Sequence, residues 1–425
     1  MSKRLLSTLV ILISTVIQAE NINLSEDVNI TLNENTPIKI KSVRGILGEN
    51  DLIQHKKGQL RAGYITFSED TASRTSSYAL AGHYHVNTQR WNGLLLGAEA
   101  YTVLNMGINQ NPLNVNSDFF DANNKSSIIL SKAFLDGKWG NTEIKLGRQI
   151  IDTPHSDSDD IRMMPNYFEA YTLTNTDISD LTLTAGFIDK MAGWENGSNS
   201  ADFIDVGETL GSSKIDGITY ASASYEGFKD LSLSLWYYHY SDIADVLYME
   251  AGYSYTLPEY ATFTFGLQYD ASHQTGATLL GQQDANTYGI SIEAAFTDLG
   301  VTFLAAYNQD NGETGATSLS LGGGPFFTSM EDQTLDVLGS AGSAWMMGAA
   351  YDFGKLGVNN LTFGLAYGKF ETKDASLYSS QEIDTVLEYN LNDKISITAA
   401  FALVDFKEND MADYNQFRLI ANYNF

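Results

Sequence analysis

Charged side chains of both signs crowd one irregular stretch of this chain. Between Gly147 and Tyr171 stand Asp157, Asp159, Asp160 and Arg162, with Arg148 and Glu169 towards its ends. Carboxylates and a guanidinium at this spacing can set a transverse field across a narrow opening. Such a field orients dipolar solutes, zwitterions among them. The bland competitor is that Asp160 and Arg162 pair within the segment and merely hold its shape, because loop ion pairs are common and individually weak. His155, Asp157, Asp159 and Asp160 also form an oxygen-rich set of the kind a hard cation takes. Calcium wants about six to eight oxygens, however, and no glycine-centred calcium loop is present. A solvated acidic loop is the preferred reading, and no metal or other cofactor is expected. His83 and His85 share a face at a spacing of two, but two ligands are too few for a metal.

Covalent catalysis finds little support. The chain has no cysteine, hence no thiolate nucleophile, disulfide or thiolate metal site. No Gly-x-Ser-x-Gly elbow occurs. Six histidines leave a spatial triad conceivable, and lipid hydrolysis by the purified protein would reveal one. The expectation is that the protein is not an enzyme. With 52 acidic residues against 25 basic ones, the chain is also a poor partner for nucleic acid.

The charged stretch must be held by whatever flanks it. Pro154 and Pro165 deny it a continuous ladder, while the segments on either side read as strands. Lys3 and Arg4 precede an apolar run from Leu5 to Ile17 and then Gln18-Ala19-Glu20, the pattern of a signal peptide over 1–19. Cleavage after Ala19 removes two positive charges and takes the formal charge from −27 to −29. Residues 20–58 are polar and acidic and read as a periplasmic leader or partial plug. Beyond the first twenty residues no apolar run approaches the roughly 18 residues of a helical span. From residue 59 to 425 the chain instead alternates apolar and polar residues in eighteen segments, most near the ~9–11 residues a tilted spanning strand needs. Short connections alternate with mostly longer ones at 104–126, 150–166, 192–214, 273–285 and 310–342. The fold class expected is all-β, a transmembrane antiparallel barrel of eighteen strands, with 150–166 folded inward as a constriction loop.

Strand phase then sorts the faces. Phe417, Leu419, Ala421, Tyr423 and Phe425 share one side of the last segment, Gln416 and Arg418 the other. Arg418 is the clearest lumen cation, Lys132 the next, and Glu293 one of several lumen acids. Simple alternation puts Arg148 on the lipid side, so either a bulge re-aims it or it sits at the rim. Phe425 ends the chain in strand phase, the kind of terminal aromatic strand that barrel-assembly machinery reads.

Leu146-Gly147-Arg148-Gln149, the run from Asp152 through Arg162 to Glu169, and Pro325-Phe326-Phe327-Thr328-Ser329-Met330-Glu331-Asp332 resemble the outer-membrane porin D (OprD) family. The resemblance covers most of the chain from about residue 59. It implies an eighteen-stranded, substrate-selective porin passing small water-soluble solutes by diffusion. It also implies that the inward loop and the loop carrying Ser-Met-Glu-Asp line the pore, so that Asp157, Asp159, Asp160, Arg162, Tyr167, Ser329, Glu331 and Asp332 form the constriction, and the Gly-Arg-Gln match keeps Arg148 among the lumen charges. The family's ladder of lumen arginines is thin here, since the mature chain has only seven arginines. Anion preference is therefore open, and an acid excess favours zwitterions or cations. The localisation implied is the outer membrane of a Gram-negative bacterium. Partners are small solutes, membrane lipid and the assembly machinery, with homotrimerisation open. The rival is a structural or adhesive barrel that binds partners through its external loops.

Overall fold

A computed structural model describes residues 28–31, 37–40, 53–108, 115–120, 124–407 and 411–425. The expected signal peptide lies outside these residues, as does most of the 20–58 leader. Within the leader, Val28–Thr31 pairs with Pro37–Ile40 as a hairpin.

Alternating hydropathy becomes eighteen antiparallel strands: β1 (Ile53–Glu69), β2 (Thr75–Thr88), β3 (Leu94–Leu104), β4 (Ser127–Trp139), β5 (Thr142–Gln149), β6 (Tyr167–Asn175), β7 (Leu181–Ala192), β8 (Ile218–Phe228), β9 (Leu231–Tyr240), β10 (Ala244–Leu257), β11 (Ala261–Gln274), β12 (Asp284–Phe296), β13 (Val301–Asp310), β14 (Gly342–Asp352), β15 (Leu361–Thr372), β16 (Ser379–Asn392), β17 (Ile395–Phe406) and β18 (Tyr414–Asn424). Each pairs with the next, and β18 closes on β1 from Tyr414↔Glu69 to Asn424↔Gln59. Phe425 completes the seam by exchanging backbone hydrogen bonds with Gly58 at 2.9 Å in both directions. Closure leaves no strand edge, which is what lets a sheet cross a membrane. No helix among the described residues is long and apolar enough to do so.

The period of two places apolar side chains outside. Between β11 and β12, Phe265 faces Ile292 and Leu267 faces Ile290 across the ladder, and all four are at least 41% exposed. Gln268, one residue out of phase with them, is buried. A soluble barrel would invert this, with apolar residues packed inside.

At one rim the connections are tight. Gly140, at φ +61°, lets two residues turn the chain between β4 and β5, a left-handed conformation that costs glycine nothing. At the other rim loops 105–126, 150–166, 193–217 and 311–341 are long. Their described residues do not all stand free. Phe119, Phe120, Met163 and Met164 pack as one buried cluster against Ile65, Ala79 and Tyr101 of the wall. Leu319 and Leu321 join a second cluster with Ile151, Tyr238 and Tyr240. Burying a side chain of this size contributes about 1.5–3 kcal/mol, enough in sum to hold the loops against the inside of the barrel.

Candidate functional site

Loop 150–166 is shaped by its own acids. The Asp157 carboxylate accepts the Asp159 N–H at 2.6 Å, and Asp152 accepts the Ser158 N–H at 3.1 Å. Asp159 sits at φ +37°, a region that aspartate tolerates better than most residues because it bonds the local backbone. Two side-chain pairs then pin the loop to the wall. His155 Nε2 meets Asp270 Oδ2 of β11 at 2.7 Å. Asp160 grips Arg61 of β1 with both oxygens, at 2.5 and 2.8 Å. Arg61 also donates to the Arg162 carbonyl at 2.7 Å and to Asn422 at 2.8 Å. In the ring of strands β1 and β11 are eight positions apart one way and ten the other, hence on nearly opposite walls. Residues 155–160 therefore run from one side of the interior to the other.

Loop 311–341 meets this segment from across the barrel. Glu382 of β16 accepts the Asp332 and Gln333 N–H groups at 2.9 and 2.8 Å, and Asp384 accepts the Glu331 N–H at 3.0 Å. Arg418 of β18 donates to Glu331 at 2.6 Å. Arg162 has its guanidinium carbon 4.9 Å from the centre of the Trp194 ring, with Asp118 at 3.7 Å and Asp332 at 4.0 Å. It does not pair with Asp160, the partner closest in sequence. Loop 193–217 is a contributor that the sequence did not announce. Trp194 Nε1 donates to the Asp159 carbonyl at 2.9 Å, and Glu195 follows it into the same space. No periodic pattern or motif marked that loop, and only its length hinted at a role.

Beside these segments lies a cavity of about 720 Å³. Asp159, Glu195, Glu293, Glu331, Asp332, Asp336 and Asp384 line it, along with Ser329, Trp194 and small residues of β14 and β15. Among the described residues, no lysine, arginine or histidine lines it. Crowding carboxylates away from water favours their neutral forms. Burial pushes Asp159 up to about 6, and the nearby Asp157 charge adds to this against the pull of Arg162. Burial pushes Glu195 up to about 7, with Asp159 reinforcing it. Asp336 rises to about 6, again chiefly by burial.

The remaining candidates fall into place around this centre. Tyr167 is 1% exposed and donates to Glu99 at 2.9 Å, which makes it a strut beneath the loop. Lys132 reaches the same Glu99 at 3.0 Å. It shares the inward face of Asp136, just past a slip of one residue in the ladder at Ser131, with Glu99 opposite Lys132 and Ala100 opposite Leu130. Arg148 stands opposite Glu169, binds it at 3.3 Å and has its guanidinium carbon 4.2 Å from the centre of the Phe203 ring. Its face is that of Leu146 and Tyr171, which are exposed, so strand alternation holds here and Arg148 stands on the outer side of the wall rather than among the lumen charges. Asp157, Asp159 and Asp160 diverge to separate partners. No group of three or more acidic, histidine or cysteine side chains among the described residues is arranged to hold a metal ion.

Comparison with known proteins places this geometry. Residues 96–425 match the sequence profile described as outer membrane porin, OprD family. A comparison with curated proteins found no match. Among solved structures, OccK9 (OpdG) of Pseudomonas aeruginosa is similar at a TM-score of 0.76 and 20% identity, over 87% of this chain and 97% of that one. OpdK of the same organism, solved with vanillate, gives 0.74 and 20%, over 88% and 100%. OccAB3 of Acinetobacter baumannii gives 0.75 and 16%, over 87% and 98%. At these identities the structures speak for the fold, and the profile, matched over most of the chain, speaks for the lineage: the chain belongs to the OprD family of outer membrane porins.

Proposed function

We propose that loops 150–166 and 311–341, helped by Trp194 and Glu195, form the constriction of this porin and make it prefer cationic and zwitterionic solutes over anions. The family is one of channels rather than enzymes, and passive diffusion of small water-soluble molecules needs no catalytic group. One observation carries the preference: the cavity has seven carboxylates against two guanidiniums beside it. Arg418 is bound to Glu331, and Arg162 lies 4.0 Å from Asp332 and 3.7 Å from Asp118, so the acids remain in excess. A ring of acids at the narrowest point favours cations, as arginine or lysine rings favour anions. Vanillate, found with the similar OpdK, is a carboxylate, and this cavity would repel it.

Reversal potentials in planar bilayers under a potassium chloride gradient test the reading. A potential of the sign set by potassium flux is expected; one set by chloride overturns it. The exposed apolar outer wall fits lipid, and the strand ending at Phe425 fits recognition by barrel-assembly machinery. An adhesive role for the loops is not favoured, because described residues of four long ones, Phe119, Met163, Val206 and Leu321 among them, are buried in clusters with the wall.

A further inference from the structure

Loops 150–166 and 311–341 are joined to each other as well as to the wall. Leu321 donates its N–H to the His155 carbonyl at 2.9 Å, and Asp157 donates to the Leu321 carbonyl at 3.0 Å. Ser156 and Leu321 thereby make a parallel bridge. At this junction sits the His155–Asp270 pair, with both side chains 0% exposed. The rings of Tyr238 and Tyr248 stand edge-on to the imidazole, with centroids at 5.3 and 6.0 Å. Two residues beyond Tyr238 at the end of β9, Tyr240 donates its hydroxyl to the Leu319 carbonyl at 2.7 Å.

A buried ionisable pair is an expensive way to fill space, since apolar groups of equal volume often stabilise more. Its best-attested advantage is to specify one arrangement over others that would pack about as well. Here the competing arrangements are easy to name. The loops carry few regular hydrogen bonds of their own, and a greasy contact at their junction would tolerate sliding along β11. A hydrogen bond between imidazole and carboxylate tolerates none. Neither His155 nor Asp270 lines the acidic cavity, so the pair does not face a passing solute.

We propose that His155 and Asp270 are positioning residues, a clasp that registers the two joined loops against β11 and so sets the width of the opening without setting its ion preference. The inference rests on the reading of these loops as the constriction. It extends that reading by separating the residues that choose the solute from those that fix the gap. The Arg61–Asp160 pair anchors the other end of the crossing segment, so releasing the clasp frees the loops at one end only.

Single-channel recording of purified variants tests this, with heat-modifiable migration as the check on folding. Conductance follows the cross-section at the narrowest point, so His155→Ala should raise it by about twofold and add open-channel noise. The reversal potential in a salt gradient should stay as in the parent. His155→Gln keeps an N–H directed at Asp270 and should restore parental conductance and noise. Tyr240→Phe removes one hydroxyl bond and should add noise alone. A folded His155→Ala channel with parental conductance and noise overturns the clasp. If that variant yields no folded barrel, a quiet, parental Tyr240→Phe channel overturns it instead. A chloride-preferring parent channel would sink the charge reading, whereas unaltered conductance in a potassium-preferring variant would sink only the clasp.

Discussion

Asp159 and Glu195 are the side chains on which the charge reading turns. They come from different loops, line one cavity and influence each other electrostatically. With Asp159 near 6 and Glu195 near 7, acidification from pH 8 to pH 5 neutralises both. Potassium preference should then fall over that window, and the Asp159→Asn, Glu195→Gln double variant should start low and respond less. A reversal potential that is flat with pH in the parent would refute the assignment. The same shift has a stability consequence. Its folded value lies above the ordinary 3.8 of an aspartate, so the native state binds the proton more tightly. Asp159 therefore destabilises the fold above pH 6, and that cost is relieved as pH falls towards 3.8. Asp160 behaves differently, because its charge is matched. Arg61 is 3% exposed on the side-chain scale and Asp160 48%, so solvent screens the pair only in part. Asp160→Ala should cost about 1–2 kcal/mol in thermal unfolding, less than the 3–5 of a fully buried pair. Sequence proximity suggested Arg162 as the partner of Asp160. Arg61, about a hundred residues away along the chain, could not have been found that way, since a pairing at such separation leaves no local signal.

Strands were legible in the sequence because their rule is local. Every one of the eighteen alternating segments corresponds to a strand of the barrel, and most phases, such as that of Arg418, read correctly from period two alone. One alternation does not run through a strand where the ladder slips. Ser131 is an extra residue opposite Glu99 and Ala100, so the buried set moves from Ile129 and Ser131 to Phe134 and Asp136. Lys132 shares the face of Asp136 as its local phase says, but a bulge itself has no reliable sequence mark. Loops were legible as lengths but not as contacts. The inward packing of 193–217 depends on Trp194 finding the Asp159 carbonyl, a tertiary event. Gly147 shows how an element boundary carries the site. It adopts φ +115°, and a Cβ there would lie 2.3 Å from the Ala133 carbonyl oxygen. Gly147→Ala should therefore strain the end of β5 where loop 150–166 departs, at a cost of about 1–3 kcal/mol. The check is the temperature at which the heat-modifiable band is lost, and an unshifted midpoint would show that the strand relaxes without penalty.

At the scale of the whole molecule, the barrel divides its work between two surfaces and one partition. Apolar residues on the outer face of every strand make the cylinder soluble in lipid, which leaves the inner face free to be polar without threatening the fold. That freedom is what allows an interior with buried carboxylates such as Glu99, Asp270, Glu382 and Asp384, several of which hold loop backbone or the side chains bonded to it. The anions that bind the loops are thus distinct from those that line the cavity, with Asp384 serving in both sets. Solute flux should reflect the lining set alone. Liposome swelling with three solutes of matched size, one an organic ammonium, one neutral and one a carboxylate, should rank in that order at pH 8. Cavity carboxylates repel the last and concentrate the first, and the field is strongest where low-dielectric walls confine it. Raising the salt screens these charges over about 8–10 Å at physiological strength and about 3 Å at 1 M, so the ranking should compress at high ionic strength while the neutral solute's rate stays constant. An order that persists unchanged in strong salt would point to pore width as the selecting property.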